Sequence, residues 1–221
     1  MNTLEQLLRH PEQVIARCRK GRELESFGRA ALGAIVAGGA AFGAAVGAFR
    51  GGRQILFAAT KIPLATVVTL GVCAPALYAL GSVFGRRWPL RTVVAIALGA
   101  AARSALVLLA LAPVLWLAID LGTPYPLVKL LATLAYALGG LSALSVAVRA
   151  LGDEPGRRGC ATAFVALFLL VGGQTGWVLR PYLGRPEDPT VPFIVRTAED
   201  GGLPAALWRS TAALLGPPAG P

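Results

Sequence analysis

Charge is what this sequence has least of. Of its 221 residues only 14% are charged, against 55% hydrophobic, and the mean hydropathy is +0.64. A water-soluble domain carries about a quarter charged residues, so a hydrated globule is excluded. The 27 glycines and 16 prolines sit among Ala, Leu and Val rather than polar residues, which excludes a disordered linker. His10 is the only histidine, so one chain supplies no His-based metal site, no Ser-His-Asp triad and no heme pair. Cys18, Cys73 and Cys160 lie far apart without a CxxC pair, which excludes a disulfide framework and zinc spacing. Walker loops, GxSxG elbows and HExxH helices are missing too. The expectation is no enzyme, no metal and no cofactor.

What is present is apolar length edged by positive charge. Lys and Arg number 21 against 11 acids, a net charge of +10. In so apolar a chain this excess reads as juxtamembrane arginine that sets topology and meets anionic lipid headgroups, rather than as a nucleic-acid surface. A crossing helix needs about 20 predominantly apolar residues. Five stretches qualify, at about 30–49, 54–85, 92–119, 127–149 and 159–180. The fold class is therefore all-α, a polytopic helical membrane protein of five transmembrane helices. Short connections make neighbouring spans antiparallel.

Arg17, Arg19, Lys20, Arg22 and Arg29 precede the first span; Arg86, Arg87 and Arg91 lie between the second and third; Arg149, Arg157 and Arg158 lie between the fourth and fifth. All three groups fall on one side, which the positive-inside rule makes cytoplasmic. The N-terminus is then inside and the C-terminus external. Arg50 and Arg53 in the first connection break the rule, leaving a shallow first hairpin as an open alternative. Trp116, Tyr125 and Trp177 fall near the outer boundary and Trp88 near the inner one, where amphipathic rings prefer to sit. Residues 1–28 read as a cytoplasmic amphipathic segment broken at Pro11, with Leu4, Leu7, Leu8, Val14, Ile15 and Cys18 as its apolar stripe. Residues 29–181 form the bundle. Residues 182–221 form an external tail with a short interfacial helix over Leu203–Leu215, expected to fold back over the outer face.

Gly39, Gly43 and Gly47 recur every four residues in the first span, with alanines in neighbouring rows. Such a row admits a second backbone closely, either within the bundle or between subunits of a homo-oligomer. Arg103 lies about 17 Å into the third apolar stretch, either snorkelling to the headgroups or lining a wet cavity or lipid phosphate site. Lys61 and Lys129 lie near the outer ends of their spans, and Asp120 closes the third, so a Lys–Asp pair is expected there. No carboxylate occurs in a span interior, which disfavours a coupled cation carrier and leaves anions or weak selectivity for any pore. Pro63 and Pro75 interrupt the second span and mark it as a kinked or gating element. Gln174 reads as a buried amide needing a partner, and Arg180 with Pro181 ends the last span.

The stretches Ala59-Thr60-Lys61-Ile62-Pro63-Leu64, Pro75-Ala76-Leu77-Tyr78 and Gly173 to Gly184 resemble a group of bacterial multi-pass membrane proteins labelled Yip1-like. The likeness covers spans two to five and the start of the tail and implies a helical bacterial inner-membrane protein, with no substrate attached. It singles out Lys61, Pro63, Pro75, Tyr78, Gln174, Trp177, Arg180 and Pro181. Two functions remain in view. One is a homo-oligomeric ion channel or pore, anion-favouring or weakly selective. The other is a non-conducting scaffold or assembly partner of a larger membrane complex.

Overall fold

The computed structural model describes residues 3–9, 13–14, 16, 24–83, 85, 89–150, 157–179, 182–183 and 193. Their regular structure is entirely helical: α1 (Thr3–Arg9), α2 (Leu24–Ala48), α3 (Arg53–Val83), α4 (Leu90–Asp120), α5 (Tyr125–Ala150) and α6 (Arg157–Val178). Five of them, α2 to α6, are long and apolar enough to cross a membrane. The protein is an integral membrane protein. Its first hairpin is no exception in length, since the 25 residues of α2 rise about 38 Å against a hydrocarbon core of about 30 Å.

Glycine closes two of the helices. Gly51, at φ 77°, ends α2 with its N–H donating to the Gly47 carbonyl at 3.0 Å. That is a left-handed cap satisfying an end carbonyl. Gly52 follows at φ 58°, and the chain reverses into α3. At the end of α4, Gly122 has φ 76°. The Gly122 N–H donates to the Ile119 carbonyl at 3.0 Å and the Thr123 N–H to Ala118 at 3.2 Å. Those two bonds make a Schellman motif, and Pro124 starts the next reversal.

The spans pack in the order α6–α3–α2–α4–α5, with α3 and α4 also touching. The centre of this row is made of very small residues. A methyl group on Gly47 would lie 2.5 Å from the Gln54 carbonyl oxygen, and one on Gly39 would lie 3.2 Å from the Pro63 nitrogen. Gly43 meets the Ala58 carbonyl and Gly38 the Ala105 carbonyl just as tightly. The glycine row thus faces α3 within the chain, while Gly38 faces α4. Backbones this close gain dispersion contacts that lipid tails do not match.

The N-terminal segment reaches into this packing. Leu7 is fully buried with Phe27, Ala31 and Ala102, and Val14 joins the same cluster. Arg9 and Glu5 pair at 3.3 Å on the exposed side of α1, which contributes little. Leu4, Leu8, Pro11, Ile15 and Cys18 lie outside the side chains described, as do Arg86, Arg87, Trp88, Trp177, Arg180, Pro181 and the interfacial helix expected over Leu203–Leu215.

Candidate functional site

One helical face of α3 carries Gln54, Phe57 and Lys61. At three- and four-residue spacing these side chains share a side, and Tyr182 and Phe193, which follow α6 in the chain, meet them there. The Gln54 amide Nε2 donates to the Tyr182 carbonyl at 2.6 Å. Phe57 meets the Phe193 ring edge-to-face at 5.3 Å, and Lys61 Nζ stands 5.0 Å from the centre of that ring. Lys61 is fully buried, and an aromatic face is a favourable neighbour for its charge. Tyr182 lies just beyond the last span, and burial pushes its phenol up to about 12.

Proline shapes the same helix. Pro63 is buried in the notch left by Gly39, whereas Pro75 is exposed. Both lack the N–H that would bond one turn back. Thr60 and Thr66 donate their hydroxyls to the Leu56 and Ile62 carbonyls at 2.9 and 3.0 Å, so side-chain bonds bracket Pro63. Pro113 interrupts α4 as well.

Arg103 belongs to a different interface. It is half-buried on α4, and its Nε donates to Ser142 Oγ of α5 at 3.1 Å. A guanidinium held by a hydroxyl inside the bundle is one way to carry a charge at membrane depth. Asp120 and Lys129 are both exposed. The described residues show no ion pair between Asp120 and either Lys61 or Lys129; Lys61 turns toward Phe193 instead. Gln174 is exposed on α6, not buried. These polar groups therefore address separate surroundings: the tail for Lys61 and Gln54, α5 for Arg103, the outer face of α6 for Gln174.

Between α5 and α6 lies a cavity of about 580 Å³, floored by α3 and α4. Its floor includes Cys73, Ala100 and Ala101, and its walls include Tyr136 and Gly140 from α5 and Phe168 from α6. No sequence feature singled it out. It exists because α5 and α6, the two ends of the packing order, hardly touch. Among the described residues no group of three His, Cys, Asp or Glu is placed to hold a metal ion.

Comparison with known proteins finds no family model, no curated protein and no solved structure that matches the chain.

Proposed function

We propose that this protein is a non-enzymatic, non-conducting scaffold of a bacterial inner membrane that presents the outer face of α6 to a membrane helix of a partner protein. The observation that carries this reading is the state of α6. Only 11% of its apolar window is buried, against 56% for α2 and α4. Its exposed side holds Thr162, Ala166, Leu170 and Gln174, one residue every four. Thr162, Ala166 and Gln174 of that row are small or hydrogen-bonding, the kinds of side chain that helices in lipid use to associate, with Leu170 as a larger apolar contact among them. The N-terminus lies inside, on the support of the three arginine-rich inner segments and their attraction to anionic headgroups.

Site-specific photocrosslinking in native membranes tests the reading. A crosslinker replacing Leu170 is expected to capture a different protein, and one replacing Leu109 of α4 to capture none. Adducts at twice the chain mass alone would point to a homo-oligomer instead.

A homo-oligomeric pore is the second reading, favoured by the charges of Lys61 and Arg103 within the spans. It requires ion flux from reconstituted protein, altered in size or anion preference by Arg103→Leu. The scaffold reading expects no flux.

A further inference from the structure

We propose that Arg103 and Ser142, where α4 meets α5, bind the phosphate of a phospholipid from the leaflet nearest the N-terminus, independently of what α6 presents on its outer face. The depth of Arg103 is marked by its neighbours. Gly99 lies one turn before it on the same face of α4. A methyl group on Gly99 would lie 3.5 Å from Leu7 Cδ1 and from Phe27 Cζ, and 3.8 Å from Val146 Cγ1. Phe27 stands between Glu25 and Arg29 of α2, both exposed. Leu7 stands between Glu5 and Arg9 of α1, whose side chains are 44% and 68% exposed. Exposed charges from two helices do not stand in hydrocarbon, so on this face the hydrocarbon begins close to Gly99 rather than at Thr92. From Gly99 to the exposed Asp120 that closes α4 is 21 residues, about 32 Å, which matches a hydrocarbon core of about 30 Å. Arg103 lies four residues beyond Gly99, about 6 Å, and its long side chain reaches the headgroups from there.

The chemistry of the pair suits a phosphate. A guanidinium carries its N–H donors on a planar fork that fits phosphate oxygens. The Arg103 Nε–H donates to Ser142 Oγ at 3.1 Å, which ties the fork to α5 and brings a second hydroxyl donor beside it. Asp120, at the far end, is the only acid of α4, and α5 has none. Seven residues after Ser142, on the same face of α5, Arg149 is exposed and adds positive charge on the headgroup side. Basic pockets of this kind between spans hold lipid headgroups. Toward the membrane centre the surface turns apolar and open. Ala110 and Val114 follow Arg103 along α4, the first exposed and the second 61% exposed, and Leu138, 51% exposed, precedes Ser142 by one turn. A phosphate at Arg103 therefore has an apolar surface beyond it for the tails of the same molecule, which a free anion would not use.

The test titrates the full chain, delipidated in detergent, with phosphatidylglycerol and counts bound lipids by native mass spectrometry. The first lipid is expected to bind about tenfold more weakly to Arg103→Gln and about threefold more weakly to Ser142→Ala. Arg53→Gln, at the opposite end of the bundle, should bind it as the unaltered chain does. Diacylglycerol with the same tails is expected to bind the unaltered protein and Arg103→Gln alike. A second measurement needs no substitution. In vesicles, phosphatidylglycerol with a diazirine on its headgroup glycerol is expected to label residues 99–107 and 138–149 in excess over residues 78–83, the end of α3 on the same side. Undiminished binding of phosphatidylglycerol to Arg103→Gln would overturn the proposal. So would headgroup labelling no greater there than at residues 78–83, or displacement of the lipid by millimolar inorganic phosphate, which would make the site one for a free anion.

Discussion

The two sides of this bundle are built on opposite rules. Along α2, Gly38, Gly43 and Gly47 bring backbones together until no methyl group fits, and 56% of the apolar window is buried. Around α5 and α6 the same kinds of small residue, Ala137 and Gly140, face an opening instead. Small side chains alone therefore do not make tight packing; they make close approach possible where a neighbouring helix is there to use it. α2 has neighbours on two sides, α3 and α4. α5 and α6 terminate the row, and among the described helices none packs against their outer faces.

Substitution should magnify that contrast. Gly47→Leu and Gly38→Leu place side chains against carbonyls of α3 and α4 and are expected to cost about 3 kcal/mol or more. Gly140→Leu is expected to be neutral or stabilising. Reversible unfolding in mixed detergent–SDS micelles measures all three, and equal losses on the two sides would erase the distinction. Next in size is the cover over α3. Phe193→Ala removes the ring above Lys61 and against Phe57, which should cost about 1–2 kcal/mol and speed proteolysis of the segment following α6. Unchanged cleavage would mean that the cover does not hold that segment.

Smaller still is the tie across α4 and α5. Ser142→Ala is expected to lower stability by about 1 kcal/mol, and Arg103→Leu/Ser142→Ala should lose no more than Arg103→Leu alone. Smallest is the response to alkali. The Tyr182 phenol is pushed up to about 12 by burial, from an ordinary value of about 10. Its neutral form therefore supports the fold fully below pH 10, and that support fades as pH rises toward 12. The thermal midpoint should fall over this range in the unaltered protein and fall less in Tyr182→Phe.

Most of the architecture is legible in the sequence, because hydropathy and charge are local signals. The five apolar stretches correspond to α2 through α6, though α2 begins at Leu24, before the apolar run at 30. Its first turns keep Glu25, Ser26 and Arg29 exposed while Phe27 and Ala31 are buried. A helix that continues past the hydrocarbon on a two-faced segment is invisible to a reading that stops at the first charge. The glycine row was legible as a packing surface, but not its partner, because the identity of a facing helix depends on the packing order. The same limit explains the rest. Nothing local links Gln54 to Tyr182, Lys61 to Phe193, or Arg103 to Ser142, separations of 128, 132 and 39 residues. The expected Lys–Asp pair rested on equal depth alone, and depth does not place two side chains on the same side of a bundle. The cleft had no sequence signal, since it is a gap between elements rather than a property of either.

The glycine row of α2 is closed within one chain, against α3. The most direct test is the unfolding of Gly43→Leu across a wide range of protein-to-detergent ratios, with oligomeric state followed in parallel. A stability loss of about 3 kcal/mol that is the same at every dilution, down to the monomer, is the predicted result. A variant whose monomer is as stable as the unaltered chain, and whose only defect is failure to associate, would contradict it.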